Sequence, residues 1–169
     1  MIDSNPKPRI ALGADHAGYR TKETIKQHLE TAGYEVEDLG TFSEQSVDYP
    51  DYAKAVAEKV ARGEAPLGIG VCGTGIGMAI VANKVPGVRA AAVHDEFTAR
   101  LAREHNDANM LTLGGRVVSN AQAVRIVDTF LGAQFAGGRH ARRVNKIAQV
   151  EAACGKQGRE TPGPERSTA

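Results

Sequence analysis

Short apolar runs alternate along the chain with stretches in which apolar positions recur every three or four residues. The short runs are Arg9–Gly13, Glu35–Leu39, Gly68–Cys72, Arg89–Val93 and Asn109–Leu113, each of strand length. Between and after them lie Thr21–Ala32, Tyr52–Arg62, Ile76–Ala82, Glu96–Glu104 and Ala121–Leu131, which carry helical periodicity. A last helix, Arg139–Ala152, follows Gly137-Gly138. Strand–helix alternation of this kind predicts an α/β fold whose parallel sheet is covered on both faces. Met1–Pro8 reads as a flexible lead-in. Residues 155–169 combine Gly, Pro, Ser, Thr and charge without apolar period, and read as a disordered tail. That leaves 9–154 as a single domain, with no internal repeat.

Composition narrows the function classes. The hydrophobic fraction of 41% and charged fraction of 24% are ordinary for a globular domain. A net charge of +1 gives no basic surface for nucleic acid and no acidic-membrane signature. No apolar run approaches the length of a membrane span, and the first residues lack the layout of a signal peptide. The two cysteines, Cys72 and Cys154, stand far apart in different contexts. They make no disulfide framework and fit a reducing cytoplasm.

A parallel α/β sheet binds ligands beyond the carboxyl ends of its strands. That rim gathers Asp15 and His16, Cys72–Gly77, His94 and Asp95, and Gly114–Arg116. The segment Val71-Cys72-Gly73-Thr74-Gly75-Ile76-Gly77-Met78 is the most telling of these. It places a thiol at the end of a strand, before a glycine turn and the start of a helix. The positive end of the helix dipole favours the thiolate there. The glycines leave backbone N–H groups bare toward whatever the thiol faces. A small buried cysteine is the commoner fate of a free thiol, but this rim position points to chemistry. Cys154 reads as inert.

Other glycine-loop chemistries do not fit. Met78 stands where a dinucleotide fingerprint needs its third glycine, and Asp15 in the first turn would repel a pyrophosphate. No Gly-Lys-Ser/Thr follows, so there is no P-loop. A cysteine phosphatase loop would need an arginine where Met78 stands. No C-x-x-C or H-E-x-x-H spacing implies a metal.

Asp15 and His16 are read as a helix cap with an exposed imidazole or as ligand-rim groups. Arg139 and Arg143 stand one helical turn apart at the start of the last helix, where cations oppose the dipole and repel each other. A phosphate held between two planar forks would make that arrangement favourable. Arg142 is read as surface charge, His28 as solvated, and His105 as a favourable helix C-terminal residue. His94 lies at the rim with no role assigned.

Taken together, several motifs resemble the type B ribose-5-phosphate isomerases. They are Gly13-Ala14-Asp15-His16-Ala17-Gly18, Asp48-Tyr49-Pro50, Cys72-Gly73-Thr74-Gly75-Ile76-Gly77 and Ala82-Asn83-Lys84. Glu104-His105-Asn106-Asp107-Ala108-Asn109, Gly115-Arg116-Val117-Val118 and Gly137-Gly138-Arg139-His140 with Arg143 complete the set, in order and with matching gaps, from about Arg9 to Ala152. The resemblance implies a Rossmann-like, three-layer α/β/α domain with a five-stranded parallel sheet and an extra C-terminal helix. It also implies interconversion of ribose 5-phosphate and ribulose 5-phosphate with no metal or cofactor.

The roles it implies are as follows. Cys72 is the base at C2 of the aldose. Some members carry serine there and use a glutamate further along, but Ile80 and Val81 supply no carboxylate here. The amides of Gly73, Thr74, Gly75, Ile76 and Gly77 hold the enediolate oxygens. His105 is the acid that opens the furanose ring, and Asn106 binds a sugar oxygen. Asp15 binds hydroxyls and relays a proton between O1 and O2. His16, Arg116, Arg139 and Arg143 surround the phosphate. The family is dimeric or tetrameric with sites shared between subunits, so His105, Asn106 and Arg116 are expected opposite a partner's Cys72. Isomerases of allose 6-phosphate, galactose 6-phosphate or an erythrulose phosphate remain open, as do a non-catalytic sugar-phosphate sensor and a thiol-dependent hydrolase.

Overall fold

The structure, a computed structural model, describes residues 6–155. Most of the expected lead-in and nearly all of the expected tail lie outside that range. Five strands, β1 (Ile10–Ala14), β2 (Val36–Asp38), β3 (Leu67–Cys72), β4 (Ala90–Ala92) and β5 (Met110–Gly114), form one parallel sheet. The helices are α1 (Tyr19–Thr31), α2 (Tyr49–Ala61), α3 (Ile76–Ala82), α4 (Glu96–Asn106), α5 (Asn120–Gly132) and α6 (Arg139–Gly155). Every expected element is present within a few residues of its expected bounds. The largest offsets are three residues, at the end of α6 and at the start of α2, which begins earlier than expected. Pro50 sits in the first turn of that helix, where its missing N–H costs nothing, so it begins the helix instead of preceding it.

The two faces of β3 explain how the layers form. Leu67, Ile69 and Val71 point into the larger core with Ile10, Leu12, Leu111 and Leu113. This core packs against α1, α4 and α5. Gly68, Gly70 and Cys72 face α2 and α3 instead. A Cβ at Gly68 would stand 2.8 Å from Val56 Cγ1, so glycine is what lets α2 lie this close to the sheet. Cys72 is the next residue on that face, packed with Ala53 and Met78.

Strand order is β2-β1-β3-β5-β4. The chain runs outward one way from β1 and the other way from β3. A topological switch point therefore lies between these two strands, and it opens a crevice at their carboxyl ends. β5, last in sequence, inserts between β3 and β4, so its terminus borders the same crevice.

The sixth helix is different in kind. Of its 17 residues only His140 is buried, while Ile147 and Val150 are exposed. It touches α4 and the loop before β4, yet its apolar positions stay largely open, which is unusual in a finished core.

Candidate active site

Three strand ends build the cleft. Asp15, immediately after β1, is 6% exposed, and its Oδ1 accepts the Gly18 N–H at 3.0 Å where α1 begins. Asp15 is not the helix cap, since Gly18 holds that position; its carboxylate closes the turn before α1 and lines the cleft. Its backbone is held from outside. Ala14 donates to Gly40 O and accepts from Thr41 N, both at 2.6 Å. Gly40 N in turn donates to Asp38 Oδ1 at 3.0 Å, and the fully buried Lys22 donates to Asp38 at 2.8 Å. Burial pushes the Asp38 carboxyl up, but the bonds from Lys22, Gly40 and Lys26 outweigh it and hold the group below the usual carboxylate range. His16 Nδ1 sits 3.2 Å from both the N–H and the carbonyl of Val47, which fixes the ring beside Asp15.

Cys72, at the end of β3, is 4% exposed and free. The Gly75 N–H donates to its Sγ at 3.2 Å. Helix α3 has only seven residues, so its dipole is small. The specific N–H aimed at sulfur is the stronger local influence. Gly73, Thr74, Ile76 and Gly77 line the cleft, whereas Gly75 is buried and turns its N–H to the sulfur. Gly75 itself has φ 78°, and a Cβ there would stand 2.9 Å from the Leu113 carbonyl carbon. Only glycine allows this turn to lie on β5.

The third side comes from the end of β5. Gly115 donates to Cys72 O at 2.8 Å and Arg116 to Gly73 O at 3.1 Å, so strand pairing continues past the sheet. This carries the Arg116 side chain over Gly73 of its own chain. Arg116, expected opposite a partner's Cys72, lines the cleft of its own Cys72. The cleft has a volume of about 490 Å³ and also takes in Tyr49, Ile76 and Ile80. Tyr49 had no role assigned beyond its motif. Its ring packs on Gly77, and its place at the first turn of α2 is set by Pro50.

His105, Asn106, Arg139 and Arg143 form a second cluster outside this cleft. His105 and Asn106 end α4, whose cap Asp107 adopts φ 45°. The His105 ring stacks on His140 with centroids 4.1 Å apart. Arg139 and Arg143 stand exposed on the first turns of α6 beside it. Burial, with the charges of His105, Arg139 and Arg143, holds His140 below the ordinary imidazole range. His28, expected to be solvated, instead pairs with Asp128 at 2.7 Å and is half-buried. Among the described residues no group of three His, Cys, Asp or Glu could hold a metal ion, and no helix is long and apolar enough to cross a membrane.

Comparison with known proteins places this geometry. Residues 10–147 match the family model described as Ribose/Galactose Isomerase. The chain is 49% identical over 143 residues to a protein of Escherichia coli named ribose-5-phosphate isomerase B, covering 85% of this chain and 96% of that one. Among solved structures, ribose-5-phosphate isomerase B of Clostridium thermocellum superposes with a TM-score of 0.85 at 53% identity, covering 86% of this chain and 99% of that one. The enzyme of the same name from Mycoplasma genitalium, solved with bound ribulose-5-phosphate, gives 0.82 at 46%, covering 85% and 96%. The chain belongs to the ribose/galactose isomerase family.

Proposed function

We propose that this protein interconverts D-ribose 5-phosphate and D-ribulose 5-phosphate by proton transfer through an enediolate, without a metal or cofactor. The observation that carries the reading is the buried Cys72 sulfur. It accepts an N–H bond in a cleft shared with a buried carboxylate, in a chain about half identical to proteins named for that reaction. A proton alpha to a carbonyl is weakly acidic. Removing it takes a base and simultaneous stabilisation of the oxyanion. Cys72 takes the C2 proton and returns it at C1. Loop amides facing the cleft hold the charge on oxygen, and each such donor is commonly worth about 3 kcal/mol. Asp15 moves the hydroxyl proton from O2 to O1. His105 protonates the ring oxygen to open the furanose, and Asn106 holds a sugar oxygen. His16 and Arg116 face the sugar phosphate from the Cys72 side.

The phosphate does not react. Its binding energy holds C1 and C2 against the sulfur, and Arg139 and Arg143 supply it. The cluster that carries them lies outside the Cys72 cleft of the same chain, and α6 exposes its apolar stripe. A second copy would bring one chain's His105–Arg143 cluster to the other's Cys72 and cover α6. The working unit is thus a homodimer, or a tetramer of such dimers. Residues 9–154 make up its one isomerase domain. A catalytic free thiol supports a reducing compartment such as the cytoplasm as its location.

Turnover of ribose 5-phosphate in a metal chelator tests the core of this reading. Activity is expected to be unchanged by the chelator and to exceed that on allose 6-phosphate assayed alongside. No turnover of any sugar phosphate would leave the sensor as the better reading. For the phosphate anchors, Arg139→Ala and Arg143→Ala should each raise KM about tenfold or more, from loss of a charge-assisted bond, and weaken inhibition by inorganic phosphate. Parental phosphate inhibition in both variants would remove them from the site.

A further inference from the structure

We propose that His94 is a positioning residue that sets the reactivity of Cys72 through the peptide between Thr74 and Gly75. The inference rests on the proposed role of Cys72 and extends it to a residue outside the cleft lining.

His94 lies just beyond β4, half-buried, with Nε2 2.9 Å from Thr74 O. A carbonyl oxygen only accepts, so Nε2 carries the hydrogen and donates. Thr74 O and the Gly75 N–H belong to one peptide unit. In a planar trans peptide these two groups point in opposite directions. The N–H at the far end is the one that donates to Cys72 Sγ at 3.2 Å. His94 therefore grips one end of a rigid plate whose other end touches the sulfur.

The next peptide is held in the same way. The buried Thr112 Oγ1 donates to Gly75 O at 2.8 Å. Two successive carbonyls of a glycine turn are thus drawn away from the cleft by side chains of the neighbouring strands. Glycine-rich loops otherwise have many accessible conformations. Without His94 the first plate loses the side-chain bond that fixes its tilt against β5, and the donor to the sulfur is less well aligned. A thiolate needs that donor more than a thiol does.

The test uses full-length protein on a Cys154→Ser background, because Cys154 is exposed and would consume reagent. Two rates are compared in the parent, His94→Ala, His94→Gln and His94→Asn: iodoacetamide alkylation of Cys72 near neutral pH, and kcat with KM for ribose 5-phosphate. Loss of the aligned N–H removes a bond that stabilises negative charge on the sulfur as it reacts. His94→Ala should therefore slow alkylation and kcat together, each about fivefold to tenfold, with KM within about twofold. The Gln amide nitrogen reaches as far as Nε2 and should restore both rates to near the parental values. Asn, one carbon shorter, should not. Parental alkylation and kcat in His94→Ala overturn the proposal. If the alanine variant is too unstable to assay, equal rates in the Gln and Asn variants overturn it too, and a Gln-over-Asn difference supports it. Full turnover by Cys72→Ala would instead sink the base assignment, and the alkylation arm would still decide the His94 coupling.

Discussion

Replacing Cys72 with alanine should lower kcat about a thousandfold while KM for ribose 5-phosphate stays within a few-fold. General base catalysis is worth about 10²–10⁴ in rate. Here the proposed base is the Cys72 sulfur, and no side chain of α3 in the cleft can take its place. Ile76 and Ile80 are the side chains that α3 sends into the cleft, and neither takes a proton. Asp15 lines the same cleft, but it is tied to the α1 turn through Gly18. Binding should survive because the proposed phosphate anchors sit on α6. Folding should survive as well, since Cys72 packs in a small cluster with Ala53 and Met78 and alanine removes one sulfur from it. The measurement is isomerisation rate together with solvent deuterium entering C2 of the pentose. Loss of both in a protein that still binds substrate is the expected result. A variant that keeps turnover and exchange would move the base to another residue.

That prediction rests on a position which the chain announces openly. The alternation Leu67-Gly68-Ile69-Gly70-Val71-Cys72 places three large residues on one face and two glycines and a thiol on the other. Both the strand and the chemistry at its end follow from period two. The start of α4 at Glu96 was legible from periodicity, and the structure supplies the local cause that was not read: Asp95 caps the helix by accepting from Thr98 N at 2.7 Å. The site was less legible where it depends on strand order. Nothing local says that β5 lies between β3 and β4. Yet that insertion is what puts Arg116 over its own Gly73 and pulls the amide of Gly115 onto Cys72 O. His94 escaped for a related reason. Its partner is a backbone carbonyl 20 residues away, and a carbonyl leaves no mark in residue identity. Lys22 was hidden differently. In sequence it is one more lysine on a polar helix face, and only the fold shows it fully buried against Asp38.

Mixing two inactive variants, Cys72→Ala and His105→Ala, should restore activity to about one quarter of the parental value. Each alone is expected to be nearly inactive, the first without its base and the second without its ring-opening acid. In a dimer whose sites each combine Cys72 of one chain with His105 of the other, random reassortment makes about half the dimers mixed. Every mixed dimer holds one site with both lesions and one with neither. The structural ground is the separation of the two clusters. Asp15, Cys72 and Arg116 line one cleft, while His105 stacks on His140 beside Arg139 and Arg143 elsewhere on the chain. Within a single chain the two clusters do not meet. The exposed Ile147 and Val150 of α6 give a second copy an apolar surface to cover. Exchange of subunits is driven by brief mild denaturant, and activity is followed against mixing ratio, with a maximum at equal amounts. Each variant incubated with parental enzyme controls for recovery of folding. If no ratio regains activity although mass measurement shows mixed dimers, both groups serve the same chain's site. The His105 cluster would then have to reach Cys72 by a movement of α4 and α6 within one subunit.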